Sequence, residues 1–193
     1  GGEEQVREEE EGAEGRIEAD LLIMEVTLRR EEAVAGIEDI VKHVPSAIIG
    51  SGTVCNPQQF TISEDIGCQF IVSPGSTDAL LKVAQASPIP FLPGVCSPSE
   101  LMRGLDYGFE YFKFFPAEAV GGISLLKALQ GPFSRAKFCA TGGIGLHNVM
   151  DYLALKNVMS VGGSWITESS LVREKRWADI QRLASEAVSL CGH

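Results

Sequence analysis

Short apolar runs alternate with amphipathic stretches along most of the chain. Apolar runs of this length between helical patterns are typical of buried parallel strands, so the whole pattern predicts repeated βαβ units. Such units build either an open doubly wound sheet or a closed barrel. The seven predicted strands lie near residues 21–26, 47–50, 68–72, 89–92, 110–115, 137–140 and 158–162.

The stretches between these runs carry helix signals. Asn56-Pro57 offers a capping side chain followed by a proline at the first helical position. Ser97-Pro98-Ser99-Glu100 combines the same proline placement with the spacing of a capping box. The predicted apolar helix faces are Val34, Ile37, Ile40 and Val41, and later Trp177, Ile180, Leu183, Ala184 and Ala187. The methionines assigned to the core are Met24, Met150 and Met159.

The pattern favours an α/β fold of the TIM (β/α)8 barrel type over the open sheet. A dinucleotide-binding sheet normally has a Gly-x-Gly-x-x-Gly turn after its first strand, and this sequence lacks one there. Glycines and polar residues instead follow many different strands, which is the face where a barrel builds its active site. Since the sequence shows seven strands instead of eight, we expect the first βα unit to be atypical or missing.

The chain divides into an acidic segment at residues 1–20 and a barrel domain at residues 21–193. The first segment holds nine acids and two bases, so most of the formal net charge of −10 belongs to it. Because its few apolar residues cannot form a core, it is predicted to be a solvated helix or a disordered stretch. The segment lacks the basic and apolar regions of a secretory signal, and we expect a cytoplasmic protein.

The composition argues against several classes of partner. The acidic balance disfavours nucleic acids and anionic membranes, and no apolar run reaches the roughly 18 residues that a membrane-spanning helix needs. Five scattered cysteines, none spaced as Cys-x-x-Cys, argue against a disulfide framework and against a zinc site. We therefore predict no metal and no cofactor, and a small molecule as the partner.

Lys113 stands out because it interrupts an aromatic run, with Tyr111-Phe112 before it and Phe114-Phe115 after it. Alternation along a strand places Phe112 and Phe114 on one face, and Lys113 on the other. Both faces of a parallel sheet are covered, so the ammonium group would lose its water. Loss of hydration lowers the proton affinity of an amine, and a neutral amine can form an imine with a carbonyl substrate. A lysine that snorkels to solvent at a strand end is the alternative.

Glu25 and Arg29 form a second candidate pair at the end of the first predicted strand. A carboxylate inside an apolar strand is costly to bury, and from an inward position Glu25 could approach Lys113 from another strand. A glutamate there could move protons to and from a substrate and its imine. Arg29 follows the strand and could hold a substrate carboxylate with two parallel hydrogen bonds. A structural Glu–Arg or Glu–Lys ion pair is the alternative.

Two glycine-rich turns, Thr141-Gly142-Gly143-Ile144 and Gly162-Gly163-Ser164-Trp165, follow the last two predicted strands. Adjacent glycines let backbone N–H groups approach an anion closely. In barrels, the loops after the last two strands frequently form a phosphate site, so these turns are candidates for one. Thr53 lies in an earlier turn, Gly50-Ser51-Gly52-Thr53, and could donate a hydrogen bond to a substrate or serve the turn alone.

Several of these motifs, in their order and spacing, resemble 2-keto-3-deoxy-6-phosphogluconate (KDPG) aldolase, which commonly also acts as 4-hydroxy-2-oxoglutarate (KHG) aldolase. The resemblance covers about residues 21–193, and the lysine motif with the two glycine turns makes it specific. Ala140 departs from it, since the family usually has proline there, and residues 1–20 look unlike the family's first strand and helix. The matching motifs are Glu25-Val26-Thr27-Leu28-Arg29, Gly52-Thr53-Val54, Ser73-Pro74-Gly75, Phe112-Lys113-Phe114-Phe115-Pro116-Ala117-Glu118 and the two glycine turns.

The resemblance implies a metal-independent class I aldolase of the Entner–Doudoroff pathway, assembled as a homotrimer of (β/α)8 barrels. Lys113 would form the imine with the keto carbon, and Glu25 would shuttle protons. The products would be pyruvate and glyceraldehyde 3-phosphate. Whether KDPG or KHG is the preferred substrate stays open. The implied substrate contacts are Arg29, Thr53 and Thr141 for the pyruvate carboxylate, Phe115 for the pocket wall, and Gly142, Gly143, Gly163 and Ser164 for the phosphate.

Two other functions are compatible with the residues alone. Another phosphate-binding barrel enzyme, such as a sugar-phosphate isomerase or epimerase, would use the same glycine turns. Metal-dependent forms of such enzymes need histidines and carboxylates at several strand ends, and these are scarce here. A barrel without its first unit could instead be a binding or scaffold protein with impaired catalysis. The complete apparent catalytic set argues against this second alternative.

Overall fold

The strands and helices follow the apolar pattern of the sequence, in a computed structural model that describes residues 23–27, 37, 48–163, 165, 171, 174 and 176–191. The described strands are β1 Ile23–Thr27, β2 Ile48–Gly52, β3 Phe70–Val72, β4 Phe91–Leu92, β5 Gly94–Val95, β6 Tyr111–Phe114, β7 Lys137–Thr141 and β8 Val158–Gly162. The described helices are α1 Pro57–Asp65, α2 Asp78–Ala86, α3 Pro98–Asp106, α4 Gly122–Gln130, α5 Val149–Leu153 and α6 Trp177–Cys191, and a 3₁₀ turn spans Glu118–Val120.

The described strands form two parallel sheets of four strands each. The first sheet contains β1 to β4 in chain order, and the second contains β5 to β8 in chain order. Parallel neighbours joined by crossover helices confirm the predicted βαβ units. Within the described part of the chain, no pairing connects β8 back to β1. The predicted acidic segment, residues 1–20, lies outside the described residues.

Pro93 alone separates β4 from β5, so one stretch of chain is shared between the two sheets. β4 pairs with β3 in the first sheet, and β5 pairs with β6 in the second. Proline has no N–H to donate, but the Pro93 carbonyl oxygen accepts a hydrogen bond from Lys113 N at 2.9 Å. The fourth predicted strand therefore continues past residue 92 into β5. The sequence pattern ended that strand at the proline and did not include Gly94 and Val95.

Two apolar clusters fill the space between the strands and the helices, one beside each sheet. The first includes Ile49, Phe60, Ile71, Leu80, Leu81 and Phe91, and the second includes Val95, Leu101, Phe112, Phe114, Leu126, Phe138, Ala140 and Tyr152. Phe109 packs against both clusters and joins them. These apolar contacts of the described residues therefore lie between the sheets and the helices.

The predicted apolar faces agree with the helices wherever the structure describes them. Ile180, Ala184 and Ala187 of α6 are buried, with Leu183 packed against them, and Ile37 is buried in the first cluster. The remaining positions of the two faces lie outside the described residues, as does the side chain of Trp177. None of the described helices is long and apolar enough to cross a membrane.

The assignment of two methionines to the core is wrong. Met150 is 51% exposed and Met159 is 44% exposed. Met150 lies on α5, where Val149 and Tyr152 take the inward positions, and Met159 follows the buried Val158 on β8. Hydrophobic character alone does not determine burial, because the phase of the helix or strand decides which side chain faces the core. The side chain of Met24 lies outside the described residues.

Both predicted helix starts have the expected caps. Asn56 Oδ1 accepts a hydrogen bond from Gln59 N at 2.9 Å at the start of α1. Ser97 caps α3 by accepting from Glu100 N at 3.4 Å, while Glu100 Oε2 accepts from Cys96 N at 2.7 Å. Partial burial opposes ionisation of Glu100, but the hydrogen bonds from Cys96 and Ser97 outweigh it and hold its pKa below the usual range. The carboxylate thus stays charged beside the first turn of α3.

Replacing Ser97 with alanine is expected to lower the free energy of unfolding by about 1 kcal/mol, because the first turn of α3 loses its capping oxygen. Urea unfolding followed by circular dichroism measures the change. Ser99→Ala is the matched control, since Ser99 lies in the same turn but is exposed and does not cap the helix. Equal losses in the two variants would contradict the capping role of Ser97.

Candidate active site

Lys113 lies on β6 with its side chain turned away from the apolar cluster. Phe112 and Phe114 are fully buried in that cluster, so the alternation along β6 places Lys113 on the opposite face, as predicted. The residue is only 7% exposed, whereas Tyr111 at the start of the strand is 55% exposed. The sequence therefore predicted correctly both the face of the strand and the burial of this lysine. A lysine that snorkels to bulk solvent does not fit this burial.

Glu25 meets Lys113 across the interior between the two sheets. Its Oε1 accepts a hydrogen bond from Lys113 Nζ at 3.2 Å. β1 belongs to the first sheet and β6 to the second, so this contact joins strands that are not neighbours in a sheet. The side chain of Glu25 is 34% exposed and that of Lys113 is 8% exposed. A ligand can thus reach the pair from the side of the carboxylate, while the amine is sheltered.

Gly52 provides the space that the Glu25 carboxylate occupies. A Cβ atom added at Gly52 would lie 2.0 Å from Glu25 Oε1 and 2.5 Å from its Cγ, so a side chain there would displace the carboxylate. Glu25 is paired in register with Gly50, so its side chain leans along the strand toward the carboxyl end, over Gly52. Sequence reasoning missed this role of Gly52, because a glycine needed for space looks the same as a glycine needed for a turn.

The ring of Phe115 lies beside the amine, and its role in lining a substrate pocket stays a prediction. Lys113 Nζ lies 5.3 Å from the centroid of the Phe115 ring. At that distance the ring face offers a weak attraction to a cation and excludes water from one side of the nitrogen. The first glycine turn lies against the same segment: a Cβ added at Gly142 would be 3.1 Å from Pro116 Cα and 3.3 Å from Phe115 Cδ2.

Cys139 is a further member of the site that the sequence analysis did not select. Cys139 lies on β7, where it is in register with Lys113 of β6 on one side and with Ser160 of β8 on the other. Burial raises the pKa of its thiol, and the neighbouring Glu25 charge acts in the same direction, against the hydrogen bonds from Ser160 and Thr141. The group beside the lysine is therefore a neutral thiol. Alternation from Thr141 along β7 would have placed it on this face.

The two glycine turns approach each other at the carboxyl ends of β7 and β8. Gly142 and Gly143 have φ of 103° and 77°, a region that favours glycine. A Cβ added at Gly162 would lie 3.1 Å from Thr141 Oγ1, so the end of β8 packs directly on the start of the first turn. Gly163 follows, close to the ring of Trp165. The structure thus brings Thr141, Gly142 and Gly162 to the same edge as the end of β6.

Thr53 directly follows β2 and has an unusual backbone conformation. Its φ is 61°, and it is the one residue other than glycine with a positive φ in the described part of the chain. Such strain clusters at functional positions, and the substrate contact of Thr53 stays a prediction. Its hydroxyl makes no hydrogen bond with another described residue. Two further predicted contacts, Arg29 and Ser164, lie outside the described residues.

These groups together suit chemistry on a carbonyl compound that carries an anion at its far end. A sheltered primary amine can attack a ketone, and a carboxylate within hydrogen-bond distance of that amine can take up and return protons. Glycine turns such as those beside them can bind a phosphate or a carboxylate through backbone N–H groups. The described residues contain no group of three or more His, Cys, Asp or Glu side chains arranged to hold a metal ion.

Comparisons with known proteins identify relatives along almost the whole chain. The family model described as "Aldolase: KDPG and KHG aldolase" matches residues 4–183. The KHG/KDPG aldolase of Escherichia coli K12 is 52% identical over 166 residues, which cover 86% of this chain and 78% of that protein. The 2-dehydro-3-deoxy-phosphogluconate aldolase of Dickeya dadantii is 51% identical over 167 residues, with the same coverage of 86% and 78%.

Solved structures with the same fold belong to similar proteins. A KDPG aldolase from Legionella pneumophila, in which pyruvate was captured as a covalent carbinolamine intermediate, has a TM-score of 0.92 and 43% identity, covering 94% of this chain and 88% of that one. A Zymomonas mobilis KDPG aldolase solved with 3-phosphoglycerate has a TM-score of 0.88 and 40% identity, covering 94% and 85%. These matches confirm the predicted barrel fold of the class I aldolase type.

Proposed function

Since the chain belongs to the KDPG and KHG aldolase family, a family of aldehyde-lyases, we propose that it cleaves KDPG into pyruvate and glyceraldehyde 3-phosphate. We also propose KHG as a second substrate, because both acids share the pyruvate half. The observation that carries the proposal is the hydrogen bond between Lys113 Nζ and Glu25 Oε1 beside the ring of Phe115. Pyruvate bound covalently in the Legionella pneumophila relative supports the same chemistry for this chain.

Lys113 would be the nucleophile. Transfer of a proton from Nζ to Glu25 Oε1 along their 3.2 Å hydrogen bond leaves an amine that can attack the keto carbon. The carbinolamine that forms loses water, with Glu25 returning the proton that the leaving hydroxide needs. The product is a protonated imine, which withdraws electrons from the neighbouring carbon–carbon bond. Burial of the lysine excludes water that would hydrolyse this intermediate early.

Glu25 would carry the protons of the cleavage step. It takes the proton of the C4 hydroxyl, the C3–C4 bond breaks, and its electrons move to the imine to give an enamine and a free aldehyde. The same carboxyl group then returns the proton to C3, and water hydrolyses the pyruvate imine to release the second product. A partly exposed carboxylate suits this task, because it contacts both the sheltered amine and the open side of the pocket.

The two ends of the substrate would be held by different parts of the barrel edge. Arg29, Thr53 and Thr141 would bind the pyruvate carboxylate. The phosphate at the far end would accept hydrogen bonds from Gly142, Gly143, Gly163 and Ser164. The positive φ of Gly142 and Gly143 and the Zymomonas mobilis relative solved with 3-phosphoglycerate support this arrangement. The resemblance to the family also supports a homotrimer that needs no metal.

Trapping with borohydride tests the proposed chemistry directly. Pyruvate and sodium borohydride together should convert Lys113 into a stable secondary amine, which peptide mass spectrometry would locate at that residue. Release of pyruvate from KDPG, followed with lactate dehydrogenase and NADH, measures the complete reaction. An unmodified protein after borohydride would refute the imine mechanism. An adduct without turnover of either substrate would instead support the impaired enzyme that the sequence left as an alternative.

A further inference from the structure

Glu118 and Tyr152 form a hydrogen-bonded pair behind the first glycine turn. Glu118 begins the 3₁₀ turn that follows β6, five residues after Lys113, and Tyr152 lies on α5. Glu118 Oε1 accepts a hydrogen bond from Tyr152 Oη, and the tyrosine is fully buried. Burial, the hydrogen bond and the glutamate charge all raise the pKa of Tyr152, so its hydroxyl remains a donor to the carboxylate.

Glu118 contacts the glycine turn through its backbone and through its side chain. Glu118 N donates to Gly142 O at 3.1 Å, next to the bond from Ala117 N to Thr141 O at 2.8 Å. A Cβ added at Gly143 would lie 2.7 Å from Glu118 Cγ and 2.8 Å from Glu118 Cβ, so the methylene groups of the glutamate cover this glycine. The position of Gly143 therefore depends on where the Glu118 side chain lies.

Gly122 encloses the pair from the other side. A Cβ added there would lie 2.8 Å from Tyr152 Oη and 3.1 Å from Glu118 Oε1. Gly122 has a φ of 52° and begins α4, so its backbone can pass close to the two oxygens without a side chain in the way. Gly143 thus lies against the methylene groups of Glu118, whereas Gly122 lies against the carboxylate that accepts from Tyr152.

We propose that Glu118 and Tyr152 are positioning residues that set the first glycine turn for the phosphate end of the substrate and so determine the preference for the phosphorylated acid. This inference rests on the proposed function. A carboxylate next to an anion site repels a phosphate and competes for the same backbone N–H groups. The hydrogen bond from Tyr152 holds the Glu118 carboxylate toward Gly122 and leaves the turn free for the phosphate. Glu118 also links this turn to the strand that carries Lys113.

The test compares two substrates in variants of the pair. In Tyr152→Phe the carboxylate loses its donor, and we expect the ratio of kcat/KM for KDPG to kcat/KM for KHG to fall about tenfold, mainly through KM for KDPG. The borohydride adduct with pyruvate should still form, because the Lys113–Glu25 pair is not part of this contact. Glu118→Gln keeps an acceptor for Tyr152, and we expect it to change the ratio by less than about threefold.

The double variant separates repulsion from a general loss of packing. Adding Glu118→Gln to Tyr152→Phe removes the unpaired charge, so most of the lost preference for KDPG should return. Tyr111→Phe is the matched control, since Tyr111 is 55% exposed at the far end of β6. If Tyr152→Phe does not fold, Glu118→Ala takes its place. That variant also removes the charge, so the ratio should stay within about threefold of the parent value, and a tenfold fall would contradict repulsion by the carboxylate.

Two outcomes would overturn the inference: an equal loss of kcat/KM for both substrates in Tyr152→Phe, or no recovery in the double variant. Either would show that the pair supports only the fold. Failure of the proposed function itself looks different, because the parent protein would then form no adduct with pyruvate and would cleave neither acid. The parent protein therefore has to be measured with both substrates before the variants are compared.

Discussion

Replacing Lys113 with alanine is expected to lower kcat/KM for KDPG by roughly 10⁵-fold or more and to abolish the borohydride adduct with pyruvate. The loss should be this large because Lys113 is the lysine that contacts Glu25 within the described part of the chain. The protonated imine accepts the electrons of the C3–C4 bond in the cleavage step. Without it, the neutral keto group must accept these electrons, which is much less favourable. Steady-state assays of pyruvate release and mass spectrometry of the trapped protein measure the two effects.

Two control variants isolate the covalent role of the lysine. Lys113→Arg keeps a positive charge beside Glu25 but cannot form an imine, so its activity should be as low as that of the alanine variant. Lys127→Ala removes an exposed lysine on α4 and should retain the activity of the parent protein. Thermal unfolding of each variant shows whether a loss of activity follows a loss of structure. An adduct that persists in folded Lys113→Ala would contradict the assignment of the nucleophile.

The strand that carries Lys113 shows how much of the fold the sequence could predict. Its aromatic neighbours fix the alternation and therefore the face of the lysine, and burial was expected because both faces of a parallel sheet are covered. β5 was missed for a reason that is equally local. Pro93 interrupts the apolar run between β4 and β5, but its carbonyl oxygen still accepts from Lys113 N. A hydrogen bond to a backbone carbonyl oxygen cannot be predicted from the pattern of hydrophobic residues.

The site shows where sequence reasoning ends. Glu25 was predicted to approach Lys113 because a carboxylate in an apolar strand needs a partner, and the structure places them 3.2 Å apart. Gly52 could not be recognised in the same way, since the space beside a glycine depends on which side chain a neighbouring strand directs over it. The contact between Glu118 and Tyr152 spans 34 positions in the sequence and depends equally on packing. Periodicity predicts faces, whereas these contacts between segments are set by the tertiary structure.

Glu25→Gln is expected to lower kcat for both substrates by about 10²- to 10⁴-fold, because the amide cannot accept and return the protons of cleavage. It should still fold, since glutamine has the same shape and its side-chain oxygen can accept from Lys113 Nζ. The sharpest measurement is exchange of the pyruvate methyl protons in deuterated water, followed by NMR. Exchange needs a base at C3, whereas the borohydride adduct needs only the imine. The variant should therefore form the adduct slowly and lose the exchange.

Gly52→Ala tests the same carboxylate without changing it. The added Cβ would lie 2.0 Å from the present position of Glu25 Oε1, so the carboxylate must move away from the amine. We expect kcat to fall by about 10- to 100-fold, because displacement of a catalytic group by about 1 Å can have an effect of this size. Gly131→Ala is the control, since a Cβ there meets nothing within 4 Å.

Undiminished methyl exchange in both Glu25→Gln and Gly52→Ala would mean that another group moves the protons. Loss of exchange in both, with the adduct retained, would assign that step to a carboxylate whose position depends on a glycine in the next strand.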